Sequence, residues 1–163
     1  MGCEPRARGV RGVKPIAIGP GGLEAVVDRL LARTGASRAT VRFARPDGTA
    51  ELVAEALAPG VPSMSSHAVP GIADAPTYRY LAERHEILVQ CDTRSAAVAP
   101  PTSLVDHFKV LAQVLAPVVV TGTMVATVSL HQQGTTRDWD GADIDAVADA
   151  SAEVAKILAG SPA

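Results

Sequence analysis

The segment that most constrains the fold of this 163-residue chain is QVLAPVVVTGTMVATVSLHQ, residues 113–132. Both halves are rich in β-branched residues, and Thr121-Gly122 between them is a turn pair that returns a strand antiparallel to its neighbour. We therefore predict two long strands, 113–120 and 123–132, at the centre of a sheet. Pro117 has no N–H for a ladder, so we expect it at a bulge or an unpaired position.

The residues after this hairpin predict a long amphipathic helix. Ile144, Val147 and Leu158 fall on one face at helical spacing, with charged residues opposite. Asp140 is expected to cap the helix. Asp143, three residues later, is expected to interact favourably with the positive end of the helix dipole.

The first half of the chain predicts a helix and a hairpin followed by an irregular region. Apolar residues at 23–34 have helical spacing, and the extended runs 38–44 and 49–56 flank the turn sequence Arg-Pro-Asp-Gly at 45–48. Between 57 and 75, repeated Pro and Gly interrupt any regular element. A loop of about 20 residues inside a compact domain more often forms part of a binding site than serves only as a connection.

Short elements complete the middle of the chain. We predict a helix after Pro76, a strand at 87–91 and a helix from Thr102. The resulting order predicts the α+β fold class: an antiparallel sheet with the N- and C-terminal helices on one face and the loops and short helices forming a pocket on the other. Residues 21–160 are expected to form this single domain, after a flexible N-terminal arm at 1–20.

Composition excludes several classes of function. A net charge of −2 argues against a nucleic-acid partner, because phosphate binding needs clustered Lys and Arg. No apolar window is long enough to cross a membrane, and the N-terminus lacks a secretory core. Cys3 and Cys91 are far apart in sequence, so we expect no disulfide and a cytoplasmic protein.

The C-terminal half resembles a GAF domain, the small-molecule sensor fold related to PAS. The likeness rests on the proline-containing strand 115–119, the Gly122 turn, the strand 125–130, the Arg-Asp-Trp-Asp sequence at 137–140, and the helix start at Asp143-Ile144. The opening helix and first hairpin follow the family's order, so the resemblance extends over about residues 20–160. It implies the α+β fold above, with a ligand pocket between the sheet and the irregular middle.

The resemblance does not name a ligand or cofactor. The Asn-Lys…Phe…Asp-Glu pattern of cyclic-nucleotide-binding members is absent, and Cys91 is followed by Asp92, not by the histidine that adjoins the bilin-attaching cysteine in phytochrome-type members. The free methionine sulfoxide reductases of the family use several pocket cysteines, and here Cys91 alone is a candidate. Haem needs an axial histidine, and nothing ranks the four histidines present. The cofactor therefore stays unknown.

If the fold is right, the polar and aromatic candidates for the pocket lie on the first strand, the long loop, the short helices and the central strands. The predicted ligand-binding residues are Arg42, Ser65, Ser66, His67, Tyr78, Cys91, Asp92, Phe108 and Gln113. Arg42 is a candidate to hold a ligand carboxylate in a two-bond fork, although a strand arginine also points to solvent in many proteins.

A catalytic interpretation rests on two of these residues. Cys91 is the candidate nucleophile, and His67 is a candidate base to activate it. We expect neither to be catalytic unless the protein is an enzyme, since a single buried cysteine is usually an inert small apolar residue. No metal site is predicted, because the histidines and nearby carboxylates show no recognised ligand spacing.

Three functions are compatible with the sequence. The first is a regulatory or sensor domain in signal transduction, with a small organic ligand held between the sheet and the 57–110 region and the output on a separate protein. The second is a stand-alone enzyme or carrier acting on a small metabolite in the same pocket. The third is a dimerisation module without a ligand. Under all three we expect a homodimer through the terminal helices, because their Ala-rich faces allow close packing.

Overall fold

A computed structural model describes residues 3, 22–66, 69 and 71–160. Within these residues the helices are α1 (Gly22–Thr34), α2 (Pro76–Arg84), α3 (Thr102–Asp106) and α4 (Gly141–Gly160), with a short 3₁₀ helix at Met64–Ser66. The strands are β1 (Arg38–Ala44), β2 (Ala50–Leu57), β3 (Leu88–Gln90), β4 (Val110–Val120) and β5 (Thr123–Gln133).

The strands form one antiparallel sheet in the order β2-β1-β5-β4-β3. The predicted central hairpin is confirmed as β4 and β5, and β4 begins three residues earlier than expected. Pro117 lies opposite Thr127, immediately before an irregularity in the register at Val118/Val119. It also lies beyond the end of β3, whose pairing with β4 stops at Leu115, so its missing N–H removes no bond to that strand.

One face of the sheet is covered by α1 and α4, as the sequence predicted. Alternation along the strands turns Val41, Val114, Val128 and Leu130 toward these helices, where all four are buried. Ala at many neighbouring positions lets the helices pack closely on the sheet. Ion pairs between the helices, such as Arg33 Nη1 to Asp149 Oδ2 at 3.0 Å, lie on the solvent side.

The start of α4 is fixed by the predicted cap. The Asp140 carboxylate accepts from the backbone N–H of Asp143 at 2.8 Å, and the Asp143 carboxylate accepts from the N–H of Asp140 at 3.2 Å. Arg137 binds the same Asp143 carboxylate at 3.1 Å and lies 4.5 Å from the Trp139 ring centroid. Trp139 donates to the Gln90 carbonyl at 3.1 Å, which ties the cap to the far edge of the sheet.

The other face is covered by α2, α3 and the irregular segment between β2 and α2. Two small apolar clusters anchor this cover. One joins Met64, Leu104 and Phe108 to the first residue of β4, and the second joins Leu81 to Leu115. This arrangement confirms the α+β fold class.

The expectation that Cys3 and Cys91 stay apart is wrong. They form a disulfide with their Cα atoms 6.1 Å apart, within the usual range for such a bond, and both pack against the helix-side core. Their sequence separation of 88 says nothing about their distance in the fold, where Cys91 directly follows β3. The argument for a cytoplasmic location from unpaired cysteines therefore no longer holds. The remainder of the predicted arm at 1–20 lies outside the described residues.

No helix in the described part of the chain is both long and apolar enough to span a membrane.

Candidate functional site

A row of buried polar side chains crosses the sheet on the face opposite α1 and α4. The ladder register places Arg38 beside His131, His131 beside Gln113, and Gln113 beside Gln90. Facing residues of antiparallel neighbours share a face of the sheet, so the four side chains form one continuous row. Their exposure is 5% or less, although all four are polar.

Further polar residues continue this pattern along the two central strands. Thr40 faces Ser129 and Arg42 faces Thr127 across the β1–β5 ladder. Thr40, Ser129 and Thr127 are buried as well. We call this surface the polar face. Burying polar groups costs free energy unless each finds a partner, so the partners of these groups are informative.

Some polar-face groups are paired. Gln113 Nε2 donates to Gln90 Oε1 at 2.8 Å, and Gln90 Nε2 donates to the Val98 carbonyl at 2.6 Å. Arg38 Nη2 donates to the Pro62 carbonyl at 2.7 Å. These bonds connect the polar face to the segments that cover it.

Other buried atoms on the polar face make no hydrogen bond to any described residue. They are Arg38 Nε and Nη1, Thr40 Oγ1, Gln113 Oε1 and His131 Nδ1. Most buried polar groups in folded proteins are hydrogen-bonded, so a cluster of exceptions on one surface calls for a physical reason. A polar guest, either water or a ligand, is the ordinary explanation.

An ion pair between β1 and β2 provides the groups that hold the long loop on this face. Arg38 Nε lies 3.5 Å from Glu55 Oε2, and both side chains are nearly or fully buried. Glu55 also accepts from the Ser63 hydroxyl and, at 2.9 Å, from the Met64 backbone N–H. The Arg38 guanidinium lies 5.6 Å from the centroid of the Phe108 ring. Residues 62–64 are thus held against β1 and β2.

Arg42 is half-buried, and its guanidinium makes one hydrogen bond and one weaker contact with sulfur. Its Nη1 donates to the Ala50 carbonyl at 3.1 Å, and its Nη2 lies 3.7 Å from the Met64 sulfur, a weak acceptor. Burial lowers the pKa of Arg42 to about 10; Glu55 opposes that shift and Arg38 adds to it. Arg42 therefore remains a cation near neutral pH.

His131 is held neutral by its surroundings. Burial is the main cause that lowers its pKa well below the ordinary value of 6.5, and the charges of Arg38 and Arg42 add to the effect. A neutral imidazole has one donor and one acceptor nitrogen, so His131 can contribute a hydrogen bond of either kind but no charge.

Two adjoining spaces lie above the polar face. A cavity of about 40 Å³ lies between the sheet and α2, with Gln113, Thr127, Ser129 and His131 in its floor. A groove of about 520 Å³ extends from it past the loop toward the β1–β2 turn. Arg42 lines both, as do Met64 and Ile72. The cavity holds water-sized groups, whereas the groove falls in the range of small-molecule sites.

The sequence-predicted residues divide between this site and other places. Arg42, Tyr78 and Gln113 line the cavity, and burial raises the pKa of Tyr78. Ser65 lines the groove, with its Oγ 2.6 Å from Ser63 Oγ.

Phe108 lies beneath Arg38 and away from the cavity lining. Asp92 forms an ion pair with Arg94 at 3.1 Å, outside both spaces, and the hydrogen bonds from Arg94 lower its pKa. The side chain of Ser66 and the whole of His67 lie outside the described residues.

Cys91 does not join the other predicted residues. Its side chain packs against the helix-side core, on the opposite face of the sheet from the cavity, and is bonded to Cys3. In this state it has no thiol to act as a nucleophile or to bind a ligand. Among the described residues, no group of three or more His, Cys, Asp or Glu side chains is arranged to hold a metal ion.

Sequence reasoning missed most of the polar face, notably Arg38, Thr40, Ser129 and His131. The signal was present as alternation: within the runs 38–43 and 126–131, polar residues at 38, 40, 42, 127, 129 and 131 alternate with apolar residues. In a central strand that is covered on both faces, such polar positions must be buried. That inference was available for β5, which was predicted to be central, but not for β1, whose place beside β5 comes from the completed sheet.

The fold and the site together define a class of protein: an α+β domain that covers a polar sheet face with loops and short helices around a ligand-sized space. The model of the GAF domain family matches residues 22–158. The chain therefore belongs to the GAF domain family, and the resemblance seen in the sequence is confirmed. No curated protein sequence matches the chain.

Solved structures with the same fold include several photoreceptor domains. The cyanobacteriochrome TePixJ GAF domain is 18% identical, with a TM-score of 0.73, and the match covers 84% of this chain and 86% of that one. GAF3 of Slr1393 from Synechocystis is 18% identical, with a TM-score of 0.70 and coverages of 83% and 90%. JSC1_58120g3, solved with bound biliverdin IXa, is 13% identical, with a TM-score of 0.65 and coverages of 81% and 84%.

Proposed function

We propose that this protein is a small-molecule-binding regulatory domain, with its ligand held between the polar face and the 57–110 region. The observation that carries the proposal is the cluster of buried polar atoms that make no hydrogen bond to any described residue. A surface that served only packing would be apolar, because each unsatisfied buried group costs about 1–3 kcal/mol.

The structural neighbours support a guest of some kind in this fold. One of them was solved with bound biliverdin IXa. At 13–18% identity these structures inform the fold alone, so the proposal does not take its ligand from them. The predicted ligand-binding residues Arg42, Tyr78, Gln113 and Ser65 remain part of the proposed site.

Regulation would act through the loop that covers the site. Residues 62–64 are fastened to the sheet by Arg38 and Glu55, next to Arg42 and the ligand space. A ligand that binds better when this loop is closed shifts its equilibrium, and about 1–3 kcal/mol of coupling is sufficient for a signal. We propose that the terminal helices pass that signal to a separate output protein. A homodimer through α1 and α4, and a cytoplasmic location, remain predictions.

A filled-cavity variant tests the proposal. Native mass spectrometry of the purified protein should show a bound small molecule that denaturation releases. Thr127→Phe, in the cavity floor, should abolish this binding, whereas Thr123→Phe, at an exposed position of the same strand, should retain it. A folded Thr127→Phe protein that keeps the same molecule would place the ligand elsewhere. If the wild-type protein holds no compound and a diverse metabolite panel leaves its melting temperature unchanged, the proposal is wrong.

No observation favours the enzyme or carrier alternative. The candidate catalytic residues of the enzyme were Cys91 and His67, and Cys91 is bonded to Cys3 on the far side of the sheet. His67 lies outside the described residues. The ligand-free dimerisation module is separated from our proposal by the same experiment.

A further inference from the structure

The charges around the proposed ligand site do not balance. Among the described residues, Arg38 and Arg42 are cations on the polar face, and Glu55 is the carboxylate that faces them. His131, opposite Arg38 in the ladder, is neutral because burial and the two arginine charges lower its pKa. The lining from α2 and α3 is uncharged, and Asp74 is an exposed residue at the outer side of the groove. Counted over the described residues, the interior therefore has an excess of one positive charge.

The partners of Glu55 are Arg38 and the loop residues Ser63 and Met64. Glu55 lies 3.5 Å from Arg38 Nε, and it accepts from the Ser63 hydroxyl and from the Met64 N–H. No salt bridge joins Arg42 to any described carboxylate, so its charge is the unbalanced one. A half-buried cation with no ion-pair partner is costly, and an anion that binds beside it relieves this cost.

We propose, on the basis of the function proposed above, that the ligand is a small organic monocarboxylate whose carboxylate pairs with Arg42 and whose apolar body lies in the adjoining groove. A single negative charge matches the excess, whereas a phosphate dianion would leave a buried negative charge.

The geometry around Arg42 suits this pairing. The Ala50 carbonyl holds Nη1 and so fixes the plane of the guanidinium. Nη2 contacts only a weak acceptor, the Met64 sulfur, at 3.7 Å. A carboxylate oxygen is a much stronger acceptor and readily replaces the sulfur. Thr127 and Ser129 add hydroxyl groups to the cavity on the inner side of Arg42. Leu52, Val69 and Ile72 line the groove on its outer side, where an apolar body would lie.

Matched acid and amide probes test the charge directly. We would titrate the full chain with hexanoate, 4-methylpentanoate and benzoate, and with their three carboxamides, following cavity-residue resonances by two-dimensional NMR. The acids should bind at least about tenfold more tightly than the amides, because a charged hydrogen-bonded pair is replaced by a neutral one. Arg42→Gln should remove this preference. Arg45→Gln, which removes an exposed arginine just after β1, should leave it intact.

Each outcome is decisive. Amides that bind as tightly as acids, or acid binding that survives in Arg42→Gln, would overturn the monocarboxylate inference while leaving a small-molecule site. Absence of any probe binding, together with absence of a co-purified compound, would overturn the proposed function as well. If Arg42→Gln does not fold, Arg42→Lys keeps the charge without the fork and should bind acids more weakly but still prefer them. The acid-to-amide ratio of the wild type needs no variant.

Discussion

The two faces of the sheet are built from the same strands but follow opposite chemical rules. Along β5, Val128 and Leu130 are buried against α1 and α4, while Ser129 and His131 are buried on the polar face. On the helix face, the buried hydroxyl of Ser151 has a hydrogen-bond partner, because it donates to the Pro117 carbonyl at 2.7 Å. On the polar face, several buried polar atoms make no hydrogen bond to a described residue. Burial is therefore common to both faces, and hydrogen-bond satisfaction is what distinguishes the helix face from the polar face.

This difference has an energetic meaning. The helix face contributes to folding through apolar burial and tight packing. The polar face keeps groups that oppose folding, and the ligand that we propose would satisfy them, which is the usual compromise at a binding site. The comparison predicts that substitutions a single residue apart on β5 will have very different effects.

The largest contrast is expected between Leu130→Ala and Ser129→Ala. Leu130 is fully buried in the helix-side core, so its truncation should lower the free energy of unfolding by about 2–5 kcal/mol. Ser129→Ala removes a polar-face hydroxyl and should change it by less than about 1 kcal/mol. Chemical denaturation of both variants measures the two values. Equal losses would show that the polar face is packed for stability like the other.

The disulfide should raise the free energy of unfolding without affecting ligand binding in the pocket. Cys3→Ser opens a covalent loop with an 88-residue sequence separation, so we expect a loss of about 2–4 kcal/mol under oxidising conditions. The control is the wild-type protein with dithiothreitol, which should show the same loss, and thiol counting by mass spectrometry should confirm the bond. Ligand affinity should not change, because Cys91 faces away from the cavity. A strong effect on binding would contradict the separation of the two faces.

An isosteric change on the polar face should stabilise the ligand-free protein. Thr40 is fully buried, and its hydroxyl has no partner among the described residues. Thr40→Val keeps the shape and removes the unsatisfied group, so the free energy of unfolding should rise by about 1–3 kcal/mol. Ser151→Ala is the matched control on the other face, where loss of a satisfied hydroxyl should destabilise. The same sign for both changes would contradict our account of the two faces.

The sequence predicted the fold well because local patterns determine it. The hairpin at 113–132, the alternating run at 38–44 and the Asp140 cap each act within a few residues, and the structure confirms all three. The polar face was largely missed because its meaning depends on which strands become central and covered. The Cys3–Cys91 bond was missed for a similar reason, since it joins residues that only the completed fold brings together.

The smallest effect concerns the pH dependence of stability, which His131 should dominate on the polar face. Its pKa in the folded protein lies well below the 6.5 of the unfolded chain, mainly because it is buried and also because Arg38 and Arg42 are near. Between these two values the unfolded state binds one more proton, so the free energy of unfolding falls as the pH drops below about 6.5. One proton limits the slope to about 1.4 kcal/mol per pH unit. Denaturation at several pH values from about 7.5 to 5.5 should show this decline in the wild type and a flatter profile in His131→Gln, which does not titrate. Identical slopes in the two proteins would mean that His131 has the same pKa in the folded and unfolded states, so that burial does not hold it neutral.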